Sequence, residues 1–219
     1  MNADVLLPLL SLSFIGLAAL VSTRALFTNA AAPLKILSRL WLAMFGVEIV
    51  GHFTRHEQEE NYWLYNCFHF FFYPWLAYIF SHVLENRKIQ TAISVFYWVF
   101  ILFVICNTLF IQGFMAWQTL THVVGGCFII FLGGAYFFQL LNSMDNERIT
   151  TDPFFWVSFG LVLYFGGSVP FLGMFNYVKN NFFDFASFYF TYVYNAFSII
   201  LNLIIVRAFL CKMDYPKSY

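Results

Sequence analysis

Charge is what this sequence has least of. Only 10% of its 219 residues are charged, and eleven Lys and Arg balance eleven Asp and Glu to a formal net charge of zero. A water-soluble domain carries about a quarter charged residues, so the composition excludes one. The zero balance also removes any electrostatic case for nucleic acid or acidic partners. Cysteine is sparse: Cys67, Cys106, Cys127 and Cys211 lie in or beside apolar stretches with no C-x-x-C spacing. That pattern favours buried free thiols over disulfide or metal use. The start M-N-A-D-V-L-L-P-L-L lacks the basic segment and small-residue cleavage site of a signal peptide, and reads as a retained first membrane helix. No acylation or prenylation motif, Ser/His/Asp arrangement, phosphate loop or redox pair is visible.

What fills the chain instead is apolar. Hydrophobic residues make up 61% and aromatics 23%, with 31 Phe, and the mean hydropathy is +0.73. A spanning helix needs about 20 mostly apolar residues. Seven stretches qualify, roughly 4–24, 35–55, 62–84, 91–112, 115–141, 153–177 and 186–210. The expected fold is therefore an all-α, polytopic seven-helix bundle in one domain, 1–219. With the amino terminus outside, Arg24, Lys35, Arg39, Arg87, Lys88, Arg148, Arg207, Lys212 and Lys217 fall inside, leaving only Arg55 and Lys179 of the eleven outside. This bias sets the carboxyl terminus on the inner side.

The ionisable groups within apolar stretches are the candidate site. In the second helix Glu48 lies about 14 Å from Arg39, near the midplane of a ~30 Å core, with His52 and His56 at successive turns above it. An acidic turn, Glu57 to Glu60, follows. The third helix carries Tyr62, Asn66, His69 and Tyr73 on one stripe, and Pro74 predicts a kink by freeing the carbonyl of Phe70. Depth arithmetic sets Glu48 level with His69, and His52 level with Asn66 and His122. The sixth helix has Gly160, Gly166, Gly167, Ser168, Pro170 and Gly173, and Pro170 frees the carbonyl of Gly166. The seventh has a polar stripe of Thr191 or Tyr192, Asn195, Ser198 and Asn202. Helix one is expected only to pack. The glycine pairs Gly125-Gly126 and Gly133-Gly134 present a small-residue face. Trp63, Trp98, Trp117, Trp156 and Tyr177 read as interface anchors.

Glu48, His52, Asn66, His69, His122, Ser168, Tyr192 and Asn195 thus form a layer in the outer half, above an inner half sealed by apolar side chains. Ionisable residues inside a membrane cost several kcal/mol and usually face the bundle interior, where they mark sites or pathways. Three readings are open for the Glu/His group: a satisfied network tying helices two, three and five; a proton-linked or ligand-binding site; and a Zn²⁺ site of Glu48, His52, His69 and His122. No H-E-x-x-H pattern exists, and helix seven has neither the His of intramembrane metal hydrolases nor the Lys of a retinal Schiff base. No cofactor is expected.

The segments N-T-L-F-I-Q-G (107–113), Y-F-F-Q-L-L (136–141), D-P-F-F-W-V-S-F-G-L-V-L-Y-F-G-G (152–167) and Y-N-A-F-S-I-I-L-N-L (194–203) resemble the small seven-helix membrane proteins of bacteroidete bacteria. D-P-x-F-W-x-x-x-G-x-L-x-Y-F-x-G is the most specific part, and the resemblance is clear over helices four to seven. It implies a charged residue in helix five, where this chain has T-H-V-V-G-G. The bare architecture is similar to the seven-helix sensor modules of some histidine kinases. The expected function is a sensor or receptor-like protein taking a small or lipidic ligand from the outer side and signalling through a partner protein. The alternatives are a proton-coupled transporter, a metal-dependent membrane hydrolase and a structural subunit.

Overall fold

Each of the seven apolar stretches forms a helix in the computed structural model, which describes residues 3–54, 61–143 and 149–211. The helices are α1 (Ala3–Ser22, with a further turn at Arg24–Phe27), α2 (Ala32–Thr54), α3 (Tyr62–Ser81), α4 (Arg87–Cys106), α5 (Thr119–Ser143), α6 (Pro153–Asn181) and α7 (Phe183–Leu210). No strand occurs among the described residues. Five of the helices, α1, α4, α5, α6 and α7, are long and apolar enough to cross a membrane, which makes this a multi-pass membrane protein. His56, the acidic turn Glu57 to Glu60, and the basic residues Arg55, Arg148, Lys212 and Lys217 lie outside the described residues.

Local chemistry accounts for two helix starts. Asp152 caps α6, its Oδ1 accepting from the Phe154 amide at 2.8 Å, with Pro153 in the first turn. Asn86 caps α4 in the same way, accepting from the Lys88 amide at 2.9 Å. Two helices contain π segments: Asn107–Ile111 extends α4, and Tyr189–Tyr194 lies within α7.

The helices pack as a ring, α1–α2–α3–α5–α6–α7 and back to α1, with α4 laid against the outside of α3 and meeting α5 through side chains, Phe96 stacking on Phe128. Trp41, Tyr73, Phe80, Phe100, Phe165 and Phe209 are fully enclosed in the bundle. Between α5 and α6 the packing is set by glycine. A Cβ on Gly126 would sit 2.5 Å from Val169 Cγ2, and one on Gly133 2.5 Å from Val162 Cγ2. The two valines, seven residues apart, thus fill notches seven residues apart on the facing helix. Gly134 does not join this face and meets nothing within 4 Å. Gly133→Ala should therefore destabilise the bundle by about 1–3 kcal/mol. Adding Val162→Ala should recover most of the loss, as read by unfolding midpoints in detergent.

Two expectations change here. Helix α1 does more than pack: Ser11 donates to Ser198 Oγ at 2.9 Å and Ser22 Oγ lies 3.1 Å from Ser38 Oγ, both buried. Asn202 extends the first link, accepting from Trp41 Nε1 at 3.0 Å and donating to the Ser198 carbonyl at 2.8 Å. α1, α2 and α7 are thus joined by hydrogen bonds, which hold packed membrane helices together where lipid is as apolar as the side chains. The cysteines are free, but Cys67 and Cys127 are exposed on the bundle surface and only Cys211 is buried. In a membrane an apolar stretch has two hydrophobic destinations, lipid and core, so hydropathy alone does not place a thiol.

Candidate functional site

The α4–α5 connection folds inward. Residues 112–118 leave the π segment of α4 and return to α5 at Thr119, so the backbone is non-helical beside the interior of α3. Such backbone is tolerated at membrane depth only where its carbonyls find partners inside the protein. Side-chain amides supply them. Asn66 Nδ2 donates to the carbonyls of Phe114 and Ala116, each at 2.8 Å. Asn176 Nδ2 donates to that of Trp117 at 3.1 Å, and Gln118 Nε2 to that of Gly113 at 3.3 Å. Gly113, at φ +76°, occupies the left-handed conformation that lets the chain turn in. Beside the loop, Asn107 Nδ2 donates to Gln112 Oε1 and Thr121 Oγ1, both at 3.1 Å, and Gln112 Nε2 to Thr119 Oγ1 at 2.7 Å.

The infolding carries Trp117 into the interior. It is 5% exposed and packs with Tyr62, Tyr65, His69, His122, Phe175 and Phe190. Trp117 is therefore a core residue and not the interface anchor that its place near a helix end implied. By contrast Trp98 and Tyr177 are well exposed, and Trp63 less so.

Around Trp117 lies an aromatic box. Its indole stacks on the His122 ring, with centroids 4.9 Å apart and planes at 17°. His69 meets His122 edge-on at 4.1 Å, and Tyr73 Oη lies 2.6 Å from His122 Nδ1. The box depends on Gly125, where a Cβ would stand 2.5 Å from Cγ and Cδ1 of the Tyr73 ring. Two of its nitrogens, His122 Nε2 and Trp117 Nε1, are buried without a hydrogen-bond partner among the described residues. Where the Tyr73 hydroxyl donates to Nδ1, the neutral His122 ring carries its proton on Nε2 and the box presents two N–H donors; in the other tautomer Nε2 is an acceptor beside the Trp117 donor.

The other candidates fall at different places. Glu48 is half-buried and does not join the histidines; its Oε2 accepts from Tyr65 Oη at 3.2 Å, across Gly51, whose lack of a side chain leaves room for that hydroxyl. His52 is exposed and packs edge-on against Phe53. Asn66 is committed to the loop. Ser168 is fully buried, and its Oγ has no partner among the described residues. Tyr192 packs against Phe188 at 5.0 Å. Asn195 Nδ2 donates to the Phe190 and Thr191 carbonyls at 3.0 Å, tying down the π segment of its own helix. A neighbouring hydroxyl pair, Tyr164 to Tyr194 at 2.9 Å, bridges α6 and α7, and Tyr189 Oη reaches the Gly167 carbonyl at 3.2 Å.

His122 is thus level with His69 and Tyr73, deeper than the height of Asn66 that its sequence position implied. The reason is the infolded loop, which starts α5 at Thr119 inside the bundle. No group of three or more His, Cys, Asp or Glu side chains converges among the described residues. The histidine pair stands with aromatic and hydroxyl partners, not with carboxylates.

No family model, curated protein or solved structure matches the chain. The reading therefore rests on its own geometry.

Proposed function

We propose that this is a seven-span receptor-like membrane protein that binds a small lipophilic molecule with an oxygen acceptor in the box of His69, Tyr73, Trp117 and His122. The observation that carries this reading is the pair of buried, unpartnered ring nitrogens, His122 Nε2 and Trp117 Nε1, among apolar rings. An unsatisfied donor away from water costs about 1–3 kcal/mol. Two in one box favour a ligand oxygen over an empty, purely structural arrangement. Beyond Tyr73 the interior is filled by Phe100, Phe165 and Leu76, which favours reception over transport along a through-path.

The proposed orientation has the box in the outer half, with the amino terminus out. Among described residues, Arg24, Lys35, Arg39, Arg87, Lys88 and Arg207 lie by the opposite helix ends, and Lys179 lies by the box end. That asymmetry supports it. The connections are short, so binding would be relayed to a partner protein in the bacterial inner membrane or cytoplasm, by analogy with seven-helix sensor modules of similar bare architecture.

The test is thermal stabilisation of the detergent-purified protein by a panel of quinones, ketones and fatty acids. A ligand at one hundred times its Kd should add about 2.7 kcal/mol. At least one class should stabilise the wild type, and the same compound should fail on His122→Phe, which keeps an aromatic ring there but removes both nitrogens, Nε2 and the Nδ1 that meets Tyr73. Equal responses in both proteins, or none in either, would refute the reading.

A further inference from the structure

A second feature lies on the outside of the ring, where α4 leans on α3. A cleft of about 310 Å³ opens sideways between them, walled by Phe70 and Phe71 of α3 and by Val104 and Ile105 of α4. The π segment of α4 shapes it, since Thr108 and Leu109 of that segment line the cleft. Such segments occur mostly as local bulges and frequently at functional sites. Phe114 of the infolded loop joins the lining. The opening faces the surface that a membrane-crossing α4 turns to lipid: Phe71, Ile105 and Leu109 are 61%, 43% and 67% exposed.

The polar residues at the base leave nothing for a head group. Asn66 Nδ2 is spent on two loop carbonyls. Gln118 Nε2 donates to Thr108 Oγ1 at 2.7 Å and to Gly113, and Thr108 Oγ1 donates to the Val104 carbonyl at 2.8 Å. Every side-chain amide and hydroxyl donor on the cleft wall is therefore committed within the protein, which leaves only the weakly donating thiol of Cys67. A phosphate or carboxylate needs free donors, whereas an alkyl chain needs none. The volume suits it too, taking roughly ten groups of about 30 Å³ each, the share of a water molecule and close to that of a methylene.

We infer that this cleft is a lateral binding site for one acyl chain of a membrane phospholipid. The chain enters from the bilayer and ends beneath the infolded loop. Because Asn66 and Gln118 hold the loop from the same cleft, chain occupancy bears on the support of Trp117. The site rests on the membrane character of α4 and is independent of the ligand proposed for the aromatic box.

The experiment is native mass spectrometry of protein extracted with its lipids in a mild detergent. The wild type should retain one phospholipid. Cys67→Trp, which places a ring in the cleft from an exposed wall position, should retain roughly tenfold less, while Cys67→Ser should behave as wild type. Ile105→Trp repeats the measurement from the other wall, so failure of one variant to fold leaves the outcome decidable. Equal retention in a folded filled variant would overturn the site, as would an equal loss in Cys67→Ser. A retained free fatty acid in place of a phospholipid would overturn the source. Efficient Cys67–Cys67 disulfide formation between copies in proteoliposomes would show a second protein molecule at the cleft and overturn the lipid.

Discussion

Asn66→Leu should release the infolded loop and cost the bundle about 2–5 kcal/mol, the largest loss expected from any single polar substitution in this chain. The residue is 5% exposed, and its amide is the shared partner of two loop carbonyls, Phe114 and Ala116. Leucine matches its size but donates nothing, so two backbone acceptors lose their partner where no bulk water replaces it. Unlike a surface loop, this one cannot simply swing out. Trp117 is anchored in the interior by its ring contacts and by Asn176. The expected result is therefore a lower unfolding midpoint in detergent together with a red-shifted tryptophan emission, as Trp117 becomes wetter. Asn66→Asp should be at least as damaging, because a carboxylate accepts but cannot donate to a carbonyl. A variant with both midpoint and emission unchanged would show that the loop holds its place without the clamp.

Gly125→Ala should have the second large effect, about 2–4 kcal/mol, from overpacking rather than a lost bond. Its Cβ would meet Cγ and Cδ1 of Tyr73 at 2.5 Å and Cδ2 at 2.7 Å. A flexible side chain would move aside, but Tyr73 is fully buried between Phe100, Phe165 and His122. Either the ring is driven off its rotamer or α5 withdraws from α3. Both break the Tyr73–His122 contact that orients the box, so ligand stabilisation should fall with stability. Gly134→Ala, with nothing within 4 Å of its added methyl, is the internal control and should be close to neutral. A double-mutant cycle with Tyr73→Leu decides the cause, since removing the planar ring should recover most of the Gly125→Ala penalty. Strictly additive losses would place the damage elsewhere.

Much of this architecture was legible in the sequence. Seven runs of apolar residues near the length of a membrane crossing appear as seven helices, because a chain in or beside lipid must satisfy its backbone locally and the α-helix does so within one segment. The Asp152-Pro153 start of α6 and the buried polar stripe of Ser198 and Asn202 follow from the same local rules. So does the stripe that carries Asn66 and Tyr73 inward, because residues three and four apart share a helix face.

What tertiary structure alone decided was partnership. Asn66 finds its carbonyls near residues 114 and 116, and Asn176 reaches back to Trp117. Glu48 bonds Tyr65 and not a histidine, because Gly51 leaves room for the hydroxyl between them. Trp117 reads as an interface anchor by position, yet the loop that bears it turns inward once its carbonyls are capped. Hydropathy records how apolar each residue is, and both lipid and core reward that property equally. Which apolar face meets which neighbour depends on notches such as Gly125, Gly126 and Gly133, and on hydrogen bonds between residues far apart in the chain. Those are properties of the packed bundle, set by steric fit and by the cost of leaving buried polar groups without partners.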